Sequence, residues 1–305
     1  MAKVFVTRQV PGPALERLCR AHETTVWPER RPPSYDKLRQ EAAEADGLLT
    51  LLTDLIDAAL IAAAPHLRAV ANLAVGYDNI DLDAAAARGV QVGNTPDVLT
   101  NATADLVWAL LLAAARRLPE ALQSARTDWV TWEPAGFLGR SVTGATLGII
   151  GRGRIGSAVA RRAEGFDMQV ITAGRGDDLG EVLEGSDFVS VHVPRTPETE
   201  RLIDADALRR MKRSAILINT ARGEVIDQQA LAQALRDGQI GGAALDVTSP
   251  EPLPGDDPLW DAPNLIITPH IGSATQQARE QMTELAVENL LAALDGRPMP
   301  HAVSR

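Results

Sequence analysis

At 305 residues, with 45% hydrophobic and 23% charged content, the chain has the make-up of a globular protein of about two domains. Lys and Arg number 30 against 40 Asp and Glu, a net charge of −10, which argues against nucleic acid or an anionic membrane as partner and means that an anionic substrate needs a local cation. Cys19 is the only cysteine, the longest apolar run (106–115) is too short to span a bilayer, and the start MAKVFVTRQV carries no apolar leader, so the expected setting is the cytoplasm, with no disulfide.

Residues 3–7, 23–27, 47–52, 69–73 and 89–92 read as strands, with helices at 13–19, 35–45 and 55–64 between them and a proline loop at 28–34. Strands alternating with helices predict an α/β fold with a parallel sheet covered on both faces, and the same rhythm starts again further on, giving two doubly wound units. Residues 97–118 read as one long helix, with Thr100 as N-cap and Pro119 closing it. Its middle is apolar almost all round, so it is buried, either in a core or in a subunit interface. Trp129, Trp132 and Phe137 cluster in a chain with only 4% aromatics, as a piece of core or as a contact surface.

The stretch 146–157, TLGIIGRGRIGS, sets Gly151, Gly153 and Gly156 between an apolar strand and a helix. That is the context in which such glycines bind a dinucleotide: a tight turn, a close approach for the pyrophosphate, and close packing of helix on strand, with helix N–H groups facing the phosphates. The next strand, 168–172, runs into Ala173, Gly174 and Arg175. An NAD site wants a carboxylate at that edge to hold the ribose hydroxyl. None is expected there, and Arg175 favours a 2′-phosphate, hence NADP(H), with NAD(H) kept open because Asp177 and Asp178 bring like charge.

Further strands are expected at 188–193, 215–219, 242–247 and 265–268, and helices at 228–237 and 275–294, the last able to cross back to the first domain. Polar residues cluster just past strand ends: Val75 and Gly76, Arg222, Asp246 and His270. Open α/β sheets bind ligands at those ends, so Arg222, Glu251 and His270 could meet beside the dinucleotide. No His/Asp spacing suggests a metal site.

The motifs VFVTRQVP, NLAVGYDNID, NTPDVLTNATADL, LGIIGRGRIG, VHVPRTPET, LINTARGEVID, ALDVTSPEP and PHIGSAT cover nearly the whole chain. In them it resembles the D-isomer-specific 2-hydroxyacid dehydrogenases, and within that family the glyoxylate/hydroxypyruvate reductases. The resemblance implies a Rossmann-type cofactor domain (98–280) inserted in a flavodoxin-like substrate domain (1–97 plus 281–305), closing on a small 2-keto acid. His270 is then the acid that protonates the carbonyl oxygen, Glu251 holds its tautomer and favours its charged form, and Arg222 grips the substrate. Val75 and Gly76 would offer backbone N–H groups to the carboxylate, with Ser273, Leu52 and Trp132 completing the pocket. Trp132 would come from a second subunit of a homodimer. Thr103, Arg154, Ile155, Pro194, Thr220, Asp246 and Gly272 would join the three glycines, Gly174 and Arg175 along the cofactor, and His192 would support the cleft. Another D-2-hydroxyacid or phosphite dehydrogenase is the alternative activity. An NAD(H)-sensing corepressor is the non-enzymatic one, disfavoured because this compact chain has no room for the extensions those proteins carry. The chain departs from the family in a short segment after Arg175, in Asp177 standing where NADPH-dependent relatives carry a second basic residue, and in ending soon after Pro300.

Overall fold

The alternation of short apolar runs with alanine-rich helices builds two all-parallel sheets in the computed structural model, which describes residues 1–303. The chain divides into two units: Met1–Leu99 joined by the chain from Ala274 onward, and Thr100–Ser273.

In the first unit the elements run β1 (Lys3–Val6), α1 (Ala14–Ala21), β2 (Glu23–Val26), α2 (Tyr35–Glu44), β3 (Gly47–Thr50), α3 (Ala58–Ala63), β4 (Ala69–Asn72), α4 (Leu82–Ala87) and β5 (Gln91–Gly93). Strand order is β2-β1-β3-β4-β5, the flavodoxin-like arrangement. β3 and β4 are buried along their whole length, as parallel strands covered on both faces must be. One face packs Phe5, Leu48 and Val70 against Leu38, Ile56 and Leu60. The last long helix, Gln276–Leu294, belongs to this unit and covers its sheet; a Cβ at Gly47 would stand 3.4 Å from Leu290 and Leu294. Helix starts carry side-chain caps at Ser34, Asp57 and Asp81, each accepting from the N–H three residues on.

The second unit runs α5 (Thr100–Ala115), α6 (Leu118–Thr127), β6 (Thr146–Ile150), α7 (Arg154–Ala163), β7 (Gln169–Ala173), α8 (Gly180–Gly185), β8 (Phe188–Val191), α9 (Ala205–Arg210), β9 (Ile216–Asn219), α10 (Gln228–Arg236), β10 (Gly242–Leu245) and β11 (Leu265–Ile267), after which the chain leaves it for α11 (Gln276–Leu294). Its order is β11-β10-β9-β8-β6-β7. β6 has β7 on one side and β8 on the other, so the winding reverses at β6 and opens a crevice at its carboxyl end.

The long helix expected over 97–118 is α5, and a second helix, α6, starts at Leu118. α5 is the buried one: Val107, Trp108, Leu110 and Leu111 enter the core, and the Trp108 ring stacks on Phe166 at 4.7 Å. It ends at Ala115, Arg117 turns left-handed at φ +52°, and Pro119 sits in the first turn of α6. Pro119 therefore opens a helix rather than closing one, as a residue without an N–H can do where that N–H has no intrahelical partner. α6 buries none of its side chains, and Trp129 (73% exposed) and Trp132 (80%) lie in solvent, so this aromatic group is surface and not core. The short helices α4, α8 and α9 were not among those expected from the sequence.

Candidate functional site

The glycine turn follows β6 as the motif requires. Gly151 has φ +107°, and a Cβ there would lie 2.6 Å from the His192 carbonyl oxygen of the neighbouring strand exit. A Cβ at Gly156 would fall 2.1 Å from the Gly151 carbonyl oxygen, so only glycine lets α7 sit this close to the turn. Gly153 caps α7 with no side chain over the helix start, and a Cβ there would meet nothing within 4 Å. The turn thus packs tightly below and stays open above, the shape a pyrophosphate needs at a helix N-terminus. The Thr220 hydroxyl, just past β9, is buried without a hydrogen-bond partner among the described residues. These features fit a dinucleotide.

Three strand exits carry the residues expected to act. Asn219, Leu245 and Ile267 pair in register across β9, β10 and β11. Arg222 and His270 each stand three residues past that line, with Asp246 one residue past it between them. β9 and β11 flank β10, so their axes are about 10 Å apart. Asn219 ties down the turn to Arg222: its amide donates to the Arg222 carbonyl (2.8 Å) and its side-chain oxygen accepts from the Ala221 N–H (2.9 Å). Next to Arg222, a Cβ at Gly223 would fall 2.1 Å from the Thr248 carbonyl carbon. Backbone against backbone, the Arg222 turn is thereby seated on the loop that carries Glu251. Gln228 fixes the same loop by a two-way bond to the Ser249 main chain, 2.7 Å in each direction.

Glu251 and His270 meet. The His270 Nδ1 lies 2.8 Å from one Glu251 carboxylate oxygen, and the other accepts from the Thr248 N–H at 2.9 Å. With Nδ1 taken, Nε2 is the ring nitrogen left for a substrate. His270 itself is held left-handed at φ +54°, its N–H bonded to the Asp246 main-chain oxygen at 2.9 Å. Such a conformation disfavours a side chain and persists because its surroundings impose it. The Asp246 carboxylate does that: it is buried and accepts from the Thr268 hydroxyl (2.6 Å) and from the Ile271 and Gly272 N–H groups (2.8 and 2.7 Å). A Cβ at Gly272 would touch Thr103 and Asp246, so these three expected cofactor residues converge.

His192 follows β8, with Nε2 2.8 Å from the Ser190 hydroxyl, and burial pushes its pKa down from 6.5 to about 4. It is therefore neutral at physiological pH. Arg154, Ile155, Pro194 and Ser273 lie in the same unit, Arg154 and Pro194 exposed and the other two half-buried.

At the end of β7 the structure corrects the sequence reading, which expected no carboxylate there. The Asp177 carboxylate folds back, accepting from the Gly174 N–H (2.8 Å) and from Arg152 (2.6 Å). The turn at Gly176, φ +81°, brings it round. A count along the chain misses this because the turn cancels the distance.

In the first unit, Val75 and Gly76 follow β4. The Ala74 carbonyl accepts from the Thr95 N–H (2.9 Å) and the Val75 carbonyl from the Asn94 amide (2.8 Å). A trans peptide points its C=O and N–H in opposite directions, so the Val75 and Gly76 N–H groups face away from Thr95 and Asn94. Asn72 and Asn79 fix this loop and the half-buried Leu52 segment, Asn72 bonding the Gly76 carbonyl (2.9 Å) and Asn79 those of Leu51 and Asp54 (3.2 and 2.9 Å). Asn72, Asn219, Gly223 and Gln228 are positioning residues that the sequence reading did not single out. Asn72 and Asn219 did leave a signal, a lone polar side chain closing an apolar strand (AVAN, ILIN).

Among the described residues no cluster of His, Cys, Asp or Glu is arranged to hold a metal ion, and no helix is long and apolar enough to cross a membrane. Residues 108–272 match the family model described as D-isomer specific 2-hydroxyacid dehydrogenase, NAD binding domain. Proteins named glyoxylate reductase from Korarchaeum cryptofilum and Thermococcus kodakarensis are 48% and 47% identical to the chain, over 99% of it and 96% of each relative. Among solved structures, a protein from Thermus thermophilus superposes with a TM-score of 0.94 at 48% identity, covering 99% of this chain and 100% of that one. The NADPH-dependent glyoxylate/hydroxypyruvate reductase of Sinorhizobium meliloti, solved with NADP and malonate, superposes at 0.85 with 33% identity, covering 99% and 97%. The glycine turn, the Glu251–His270 pair and relatives of nearly half identity from end to end converge: the chain belongs to the D-isomer specific 2-hydroxyacid dehydrogenase family, oxidoreductases that use a nicotinamide dinucleotide.

Proposed function

We propose that this protein reduces small 2-keto acids, glyoxylate and hydroxypyruvate foremost, to the 2-hydroxy acids, with NADPH favoured and NADH accepted. The observation that carries the reading is the Glu251–His270 contact at 2.8 Å, with Arg222 and His270 following the in-register ends of β9 and β11, one strand apart. The glycine turn would hold the pyrophosphate, and Thr220, Thr103 and Gly272 would lie along the nicotinamide half; when bound, the reduced nicotinamide supplies the hydride. Arg222 pairs with the substrate carboxylate and polarises the carbonyl through its planar fork. His270, protonated, donates from Nε2 to the carbonyl oxygen as negative charge develops there, and Glu251 fixes the ring and stabilises its charged form. The product leaves as the alcohol and His270 takes its next proton from water. The substrate-binding groups proposed on the first unit are the Val75 and Gly76 N–H groups and Leu52, and on the second Ser273. Asp246 keeps the His270 turn in place and presents its carboxylate toward the carboxamide.

Two copies of the chain form the working molecule. Leu122, Trp129, Val130 and Leu138 are more than 60% exposed in one run that follows α5, an apolar surface of the kind that partner subunits cover, and Trp132 lies within it. On this reading Trp132 reaches the substrate pocket of the other copy. The single exposed thiol, Cys19, suits a reducing cytoplasm.

The test is a spectrophotometric screen of keto acids with NADPH and with NADH. Glyoxylate and hydroxypyruvate should be turned over ahead of pyruvate, and His270→Ala should lose about 10²–10⁴-fold in kcat. No oxidation of either cofactor by any keto acid, or an Ala variant within about threefold of wild type, would overturn the assignment.

A further inference from the structure

The dinucleotide turn of this chain reads G-R-G-R-I-G, with Arg152 directly after the first glycine. Arg152 does not point at random. Its guanidinium lies across Gly174, at the end of β7, so closely that a Cβ at 174 would stand 2.6 Å from its Nη2 and 2.7 Å from its Nε. The same Nη2 meets the Asp177 carboxylate at 2.6 Å, and the carboxylate oxygen it bonds also accepts from the Gly174 N–H at 2.8 Å. A cation and an anion are thus locked together at the strand end where the adenosine ribose of a dinucleotide sits. Arg175, the cation expected there from the sequence, is exposed.

The two halves of the pair suit different ligands. A carboxylate accepts hydrogen bonds from an unmodified ribose and repels a 2′-phosphate. A guanidinium binds a phosphate through two parallel N–H groups and gains little from a hydroxyl. Both side chains are about half exposed, and an exposed ion pair is weak enough to be exchanged.

We propose that Arg152 and Asp177 together set which dinucleotide this enzyme takes. With a 2′-hydroxyl, the pair stays closed and Asp177 accepts from the ribose. With a 2′-phosphate, Arg152 leaves Asp177 for the phosphate, and Asp177 opposes the exchange by its charge. Gly174 is part of the device, because any side chain there would displace the guanidinium. The proposal rests on the dinucleotide reading of the glycine turn and adds which side chains read the 2′ position.

The experiment uses adenosine fragments that carry no nicotinamide, so it reads binding and not turnover. The affinities of 2′,5′-ADP and of 5′-ADP are measured by calorimetry on the full-length protein, for wild type, Asp177→Asn and Arg152→Met. Asparagine at 177 keeps an acceptor for the Gly174 N–H and removes only the charge. Asp177→Asn should raise the affinity for 2′,5′-ADP about tenfold, with 5′-ADP weakened or unchanged. Arg152→Met should lower 2′,5′-ADP binding about tenfold and leave 5′-ADP within about twofold. Matching shifts for NADPH over NADH in kcat/KM would follow. If both fragments bind wild type but neither substitution changes the ratio of their affinities, the proposal falls and the dinucleotide reading stands. The same holds if each variant loses both fragments equally, which marks the pair as structural. If neither fragment binds wild type at all, the dinucleotide reading falls and takes the proposal with it.

Discussion

His192, half-buried just past β8, stays outside the proposed proton transfer. Its imidazole takes a proton near pH 6.5 when free and only near pH 4 when buried beside Ser190. Between those values the unfolded chain binds the proton and the native one does not, so stability falls as pH drops through the window. The loss attributable to this side chain is at most about 3 kcal/mol once both values are passed. His192→Gln keeps a partner for Ser190 and cannot titrate. Urea midpoints of the variant should therefore fall less steeply from pH 6.5 to pH 4 than those of wild type, and parallel slopes would refute the assignment. At this scale the sequence was readable for Glu251 in SPEP and His270 in PHIG, which the fold brings to 2.8 Å. It was not readable where folding brings distant or turning segments together. Asp177 reaches Gly174 because of the turn at Gly176, Gln228 reaches Ser249 across 21 residues, and nothing about Gly223 announces that Thr248 will lie against it.

Among the elements, the turn from β6 to α7 separates folding from binding glycine by glycine. Gly156 is required by the fold, since its Cβ would collide with the Gly151 carbonyl. Gly153 has φ −73° and open space around it, so the fold tolerates a methyl group there while a phosphate does not. Gly156→Ala should destabilise by about 1–3 kcal/mol or more, seen as a lower melting midpoint without cofactor. Gly153→Ala should melt with wild type yet bind NADH about tenfold or more weakly by fluorescence titration. Wild-type NADH affinity in Gly153→Ala would show that the phosphates lie elsewhere. Strand existence was legible throughout, because short apolar runs such as GLLT and ILIN can only be buried strands in this rhythm. Helix ends were less so. Pro119 could stop a helix or start one, and the left-handed Arg117 that decides between them is a property of packing.

For the whole molecule, the outcome turns on the apolar run from α6 to Leu138. A monomer in water would leave Leu122, Trp129, Val130, Trp132 and Leu138 uncovered, and patches of that kind are found where subunits meet. Sedimentation should give a dimer at micromolar concentration, and Leu122→Glu combined with Val130→Glu should give a folded monomer. A wild-type monomer under those conditions would remove the second copy from the account. The in-register exits of β9, β10 and β11 reach further than the catalytic pair. Residues 222 and 270 follow strand ends that lie in register with one strand between them, a spacing the backbone sets. Under the proposed function these two exits would meet only the carboxylate and oxo group of a keto acid, and discrimination by chain length would fall to residues elsewhere.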